Sequence, residues 1–194
     1  KKMIYEVVIV TVDSKNKPHV APMGISIKNK DIILKPFKPS QTLENILNTK
    51  IAVLNVITDV RVFAACITGR EQFDLEPIDG KIGFRLKNTI SYSYLSLENF
   101  LDDNLRPQLI MKEEKTWQVS EFLGLNRAQA AVIEGAILTS RLNILSINKI
   151  RAEMKYLSIA ISKTAGPKEK EAWEWLEEAV DLHTTKNIKS KKQT

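Results

Sequence analysis

Two stretches of this sequence bring together residue types that could do chemistry in concert. One is His19-Val20-Ala21-Pro22-Met23-Gly24; the other is Lys35-Pro36-Phe37-Lys38-Pro39-Ser40-Gln41-Thr42. Pro22 has no N–H, so within a strand it marks an edge or a bulge. Gly24 has no side chain and lets another group come close to the backbone. A backbone N–H or C=O released at such a break can address the edge of a flat ring. Ser40 is a good helix N-cap, because its hydroxyl accepts from a first-turn N–H. At that helix start the exposed N–H groups and the helix dipole favour an anion, and Lys35 and Lys38 add positive charge. Spacing leaves a plainer reading open, in which the Pro-Met-Gly break is a bulge and Ser40 only caps. Asn55 is the one polar residue in the apolar run 51–57, and a buried amide needs partners. A ring's polar edge or a neighbouring backbone would each supply them.

Other chemistries find little support. The seven glycines are scattered and form neither a dinucleotide fingerprint nor a phosphate loop. Ser162-Lys163-Thr164 lacks the glycines that would precede it in such a loop. His19 and His183 have no cysteine or acidic neighbour at metal-ligand spacing, so no metal site is expected. No serine sits at a nucleophile elbow. Cys66 falls on the apolar face of a predicted helix, where packing outweighs reactivity. His19 is the titratable group near the motif that could exchange a proton near neutral pH.

The elements that must position these residues follow from the patterning. Residues 4–12 are β-branched and nearly all apolar, as in a strand buried on both faces. Turns at 13–18 and 28–30 separate them from strands at 19–27 and 31–34, an antiparallel meander. After Pro36 and Pro39, Ser40 opens a helix carrying Leu43, Ile46 and Leu47. Residues 51–57 form a further strand, and Asp59 caps a second helix that stops at Gly69. Residues 70–81 read as a loop. Clean alternation over 82–94 predicts one long strand with a wet face. Strands at 107–111 and 116–120 flank a predicted turn at Lys112-Glu113-Glu114-Lys115.

Past Gly124 the pattern becomes helical. Asn126 is a cap with Gln129 as its capping-box partner, and Ile133, Ile137 and Ile144 form a stripe. Ile147, Ile150, Met154, Leu157 and Ile161 mark the next helix, and Trp173, Leu176 and Val180 a third. The expected domains are a strand-rich block over 1–123, a helical extension over 124–185, and a disordered basic tail over 186–194. Strands segregated from helices indicate an α+β fold, and closing the antiparallel strands into a barrel removes bare edges.

The chain has 194 residues, 43% of them hydrophobic, and its net charge of +6 gives a pI near 9.3. Lys186, Lys189, Lys191 and Lys192 carry four of those charges in the tail. The rest is nearly balanced, so a nucleic-acid interface is not favoured. No apolar run reaches the roughly 20 residues of a membrane span, and no signal-peptide core follows the first residues. A single cysteine fits a reducing cytoplasm.

The segments VVIVTVDSKNKPHVAPMG, ILKPFKPSQTLENIL and IAVLNV resemble the flavin-binding split-barrel superfamily, which includes pyridoxine-phosphate oxidase and the small flavin reductases. The resemblance is closest to an archaeal branch of FMN-binding proteins with a helical C-terminal extension, and it returns at NRAQAAVIEGAILTSRLNIL. It implies a split β-barrel and a homodimer with FMN between subunits. It implies ring contacts from His19, Ala21, Pro22, Met23 and Gly24, with Asn55 on a neighbouring strand. Phosphate contacts are implied for Lys38, Ser40, Gln41 and Thr42, with Phe37 beside them. Arg127 and Arg141 are further candidates for the phosphate or the partner subunit. The arginine-rich phosphate pattern of pyridoxine-phosphate oxidase is absent. The activity implied is that of a flavin reductase-type oxidoreductase. The alternatives are a non-enzymatic FMN carrier, sensor or scaffold, or the same barrel holding haem or a deazaflavin.

Overall fold

The computed structural model of the protein describes residues 3–191, and the side chains of residues 3–185. Two compact units emerge, one from Lys1–Thr58 with Phe73–Phe122, the other from Asp59–Gln72 with Leu123–Thr194.

The first unit is a closed antiparallel barrel. Its strands are β1 (Tyr5–Val12), β2 (Pro18–Lys28), β3 (Asp31–Leu34), β4 (Ile51–Val56), β7 (Ser91–Leu101) and β8 (Gln108–Gln118). The order around it is β1-β2-β3-β8-β7-β4, and β4 returns to β1. The helix α1 (Gln41–Thr49) and a small hairpin, β5 (Leu75–Pro77) with β6 (Phe84–Leu86), complete the unit. Between β2 and β3, Asn29 and Lys30 both take positive φ, the two-residue turn that matches strand twist.

Alternation explains the core. Val7 and Ile9 of β1 pack with Leu34, Leu54, Leu95 and Met111 inside the barrel, where α1 adds Leu43 and Ile46. The opposite face of β1 is also buried, because β6 lies against β1 and β4. Residues 7–12 are therefore covered on both sides, as their β-branched run predicts.

The second unit packs α2 (Arg61–Thr68), α3 (Arg127–Ser140), α4 (Ile147–Thr164) and α5 (Pro167–Lys191). The expected boundary near residue 123 leaves α2 with the barrel. Instead α2 lies against α3 and α5. Electrostatics helps to fix it there: Asp59 pairs with Arg61 and Lys168, and Arg61 also holds Glu171. Burial alone would raise the Asp59 pKa, but the Arg61 hydrogen bonds and the nearby cations outweigh it and hold the carboxyl below its usual range. Asp59 itself is not the N-cap residue; Val60 is, while the Asp59 carboxylate accepts the Arg61 N–H at 3.3 Å. Gly135 on α3 lets the Trp173 ring and Leu176 pack against the helix backbone, since a Cβ there would meet Trp173 at 2.8 Å.

Several expectations are corrected. The strand foreseen over 82–94 is broken into β6 and β7 by a turn, where the Thr89 hydroxyl donates to the Val56 and Ser91 carbonyls. The loop at 70–81 contains β5. No turn forms at residues 112–115, which continue β8 with a bulge at Glu114. None of those four residues favours positive φ, and Glu113 and Glu114 accept hydrogen bonds from Ser93 and Ser96 across the ladder. Asn126 does cap α3, but Gln129 reaches Glu169 at 3.2 Å and not back to the cap. Ile144 lies outside α3 and is 79% exposed. The tail foreseen from 186 begins as helix, since α5 continues to Lys191. No glycine or proline interrupts residues 168–191, so nothing stops the helical hydrogen bonding. Residues 192–194, and the side chains from 186 onward, lie outside the described residues.

Candidate functional site

The Ser40 cap forms as foreseen. Its backbone is extended, and its hydroxyl accepts the Leu43 N–H at 3.3 Å, while the Glu44 N–H bonds the Ser40 carbonyl at 3.1 Å. Among the described residues the Gln41 and Thr42 N–H groups keep no partner in the chain. These two first-turn donors are the ones a bound anion could take. Ser40 is half-buried and Gln41 exposed, whereas the Thr42 side chain is buried. Thr42 therefore offers its amide more readily than its hydroxyl.

The ring-facing stretch lies on β2. Its pairing with β1 runs from Pro18 to Ile25, but its pairing with β3 covers only residues 25–28. Residues 18–24 consequently have β1 on one side and no strand on the other among the described residues. Each of them is half-buried, whereas β1 buries six residues in a row. Pro22 is tolerated there because the missing N–H costs no ladder bond on an open edge. His19, Ala21 and Met23 share the face of β2 that carries Ile25, while Val20, Pro22 and Gly24 share the other. What comes close to Gly24 within the chain is a side-chain methyl: an added Cβ would meet Ile4 at 2.8 Å.

The open edge and the helix start are neighbours. Leu34 pairs with Ile25, so the connection beginning at Lys35 leaves β3 beside Gly24. From α1, Gln41 donates to Asn45 at 2.8 Å, and Asn45 donates to Thr11 at 2.9 Å. Thr11 pairs directly with His19. The segment from Lys35 to Gln41 thus runs from the end of β3, beside Gly24, into the helix whose Asn45 reaches Thr11.

A loop after β7 closes on this segment. The Lys38 N–H donates to the Leu105 carbonyl at 3.0 Å, and the Lys38 ammonium pairs with Asp102. Lys38 holds the Asp102 carboxyl below its usual range. Asp103 is lowered too, chiefly by the backbone N–H groups of Arg106 and Leu105, which reach its carboxylate at 2.7 and 2.9 Å. The Arg106 guanidinium lies 4.3 Å from the centroid of the Phe37 ring and donates to the Lys35 carbonyl at 3.4 Å. Lys35, Lys38 and Arg106 therefore gather at one corner.

His19, Ala21, Pro22, Met23 and Gly24 lie on β2, and Phe37, Lys38, Ser40, Gln41 and Thr42 on the segment that runs from β3 into α1; Asn55 lies on β4, opposite the Val8 that pairs with Pro22. Asn55 is fully buried and its amide is spent: Nδ2 donates to the Val8 and Val53 carbonyls, and Oδ1 accepts the Leu86 N–H at 2.9 Å. Neighbouring backbone, and not a ring, satisfies it. Arg127 and Arg141 belong to the helical unit, at the first residue and at the C-cap of α3. Fourteen helical residues separate them by about 21 Å, so one chain cannot close both on the same phosphate.

Arg106 is the residue that sequence reasoning misses. Asp102-Asp103-Asn104 signals only a turn, and the contact with Phe37 depends on the pairing of β3 with β8. Among the described residues no cluster of His, Cys, Asp and Glu could hold a metal, and no helix is long and apolar enough to cross a membrane. Burial, with Glu71 nearby, pushes the Cys66 thiol up to about 12, which favours the protonated form at neutral pH.

Comparison with known proteins agrees with this architecture. A protein of Methanocaldococcus jannaschii, itself uncharacterized, is 28% identical over 182 residues, spanning 87% of this chain and 94% of the relative. The crystal structure of an FMN-bound DUF447 protein from Methanosarcina mazei superposes with a TM-score of 0.78 at 24% identity, covering 92% of this chain and 96% of that one. The flavin reductase component of a bacterial two-component tryptophan halogenase shares the barrel, with a TM-score of 0.51 at 10% identity over 62% of this chain and 83% of that one. These likenesses establish the fold, a split barrel followed by helices. The family described as "Protein of unknown function (DUF447)" matches in two parts, its N-terminal domain over residues 5–120 and its second part over 126–178. With both parts matched in order along nearly the whole fold, the chain belongs to the DUF447 family.

Proposed function

We propose that this chain binds FMN at the corner between β2 and α1, and that it serves as an oxidoreductase of the flavin-reductase type. The observation that carries the reading is the half-buried stretch of β2 that β3 leaves uncovered, followed in the chain by a segment with two open helix-start amides and two lysines. A flat apolar ring can lie along residues 19–24, where backbone groups face its polar rim. A phosphate at the other end would meet the Gln41 and Thr42 amides, the Ser40 hydroxyl and the Lys38 ammonium. The fit is chemical as well as geometric, since ring and phosphate are the two ends of one molecule. The FMN-bound neighbour from Methanosarcina mazei and the flavin reductase component share this barrel, which supports the choice of ligand and of reaction class.

Bound flavin would supply the two-electron redox chemistry between a reduced nicotinamide and an acceptor. The chain's own part is to hold the ring against β2, keep the phosphate at α1 and leave one ring face open to a reactant. A single chain leaves the β2 edge half-exposed, with Ile27, Phe37 and Leu105 more than half-exposed in the same unit. A second copy would cover the ring, so the proposed state is a homodimer with FMN near the interface.

The test is direct. Purified protein loaded with FMN is mixed with NADH or NADPH and a dye acceptor. Turnover well above that of free FMN is expected; a flavin-loaded protein with no turnover above free FMN would make it a carrier or sensor.

A further inference from the structure

We propose that Arg106 determines specificity for the anionic end of the ligand by reading the phosphate as a two-pronged donor. The inference rests on the FMN reading above and adds a residue to it. Among the described residues, Arg61, Arg70, Arg85 and Arg151 each hold a carboxylate. Arg106 holds none. Arg85, the other arginine of the barrel unit, is spent on Glu76, on the carbonyls of Leu86 and Lys87, and on the Tyr92 ring. Arg106 makes one long bond to the Lys35 carbonyl and rests on the Phe37 ring, which leaves most of its N–H donors open.

Its position is built rather than incidental. The Asp103 carboxylate clamps the Arg106 backbone N–H, Pro107 follows, and the Leu105 carbonyl binds the Lys38 N–H. The Phe37 ring, 4.3 Å from the guanidinium carbon, holds the charged group in place without using its donors. A planar fork held in advance suits a phosphate better than an ammonium does, because two parallel bonds form with little further ordering. Lys38, by contrast, is already engaged by Asp102. Of the three cations at the corner, Arg106 is the one whose shape and lack of a carboxylate partner match a phosphate monoester.

The experiment compares FMN with riboflavin, which has the same ring and no phosphate, by fluorescence titration of the full chain. The wild-type protein should bind FMN more tightly. Arg106→Gln should weaken FMN by roughly 10- to 100-fold, the loss of a charge-assisted pair, and leave riboflavin unchanged. Arg106→Lys should recover only part of the loss, and Phe37→Leu should lose part of the same discrimination. Riboflavin binding reports that each variant is folded. An unaltered FMN-to-riboflavin ratio in Arg106→Gln, with a wild type that prefers FMN, overturns the assignment of Arg106 and leaves the FMN reading standing. A wild type that binds neither flavin overturns both.

Discussion

At the residue scale, charge at the corner is arranged as a competition. Asp102 draws Lys38, and its carboxyl is kept ionised by that contact. Any phosphate that uses Lys38 must displace Asp102 and tolerate a negative charge beside it. Asp102→Asn should therefore tighten FMN several-fold, releasing the ammonium and removing the repulsion, and leave riboflavin where it was. The pair is exposed, so the gain should shrink as salt is added. Weaker FMN binding in this variant would show that Asp102 orders the loop more than it competes. Ser40 and Asn126 are legible in the sequence because a cap is a local event: a side chain and an amide two or three residues away. Arg106 is illegible for the opposite reason. Its bond to Lys35 joins residues 71 apart, and no local pattern reports which strands will pair.

At the element scale, alternation and turn chemistry reveal the meander β1–β3, whose observed ends lie within a residue of those expected. The same rules fail at β8. A run of four charged residues resembles a turn, yet Glu113 and Glu114 are held by serines of the neighbouring strand. Cross-strand partners overrode local polarity there. The hairpin β5–β6 shows a related effect. It is too short to stand alone, and Asn55 ties it down by accepting the Leu86 N–H. Asn55→Ala should cost about 1–3 kcal/mol, since a buried N–H and two carbonyls lose their partner. Urea unfolding measures this. A variant as stable as wild type would mean that the hairpin is held by packing alone, and that Asn55 is available for another role.

At the scale of the whole molecule, the barrel closes through short pairings of β3, which leave residues 18–24 of β2 and the end of β8 with one neighbouring strand each among the described residues, and the β2 stretch is where the sequence stacks its unusual residues. The stretch of β2 that β3 leaves uncovered, the proline within it and the helix that follows are one device, an edge that does not invite another strand. The helical unit is a second construction, in which α2 joins α3 and α5 through the Asp59–Arg61–Glu171 cluster. That membership escaped the sequence because α2 lies between barrel strands in chain order, and segregation of helices from strands holds in space before it holds along the chain. The β1–β3 meander, β4 and the Ser40 and Asn126 caps were readable from their own neighbourhoods; the hairpin β5–β6, the course of β8, the loop that carries Arg106 and the home of α2 depended on tertiary contacts.

The most direct measurement is a crystal structure of the full chain soaked with FMN. The account predicts density for the phosphate within hydrogen-bonding distance of the Gln41 and Thr42 amides and the Arg106 guanidinium, with the isoalloxazine ring along residues 19–24 of β2. Flavin density anywhere else on the molecule, with that corner closed by the Lys38–Asp102 pair, would contradict it.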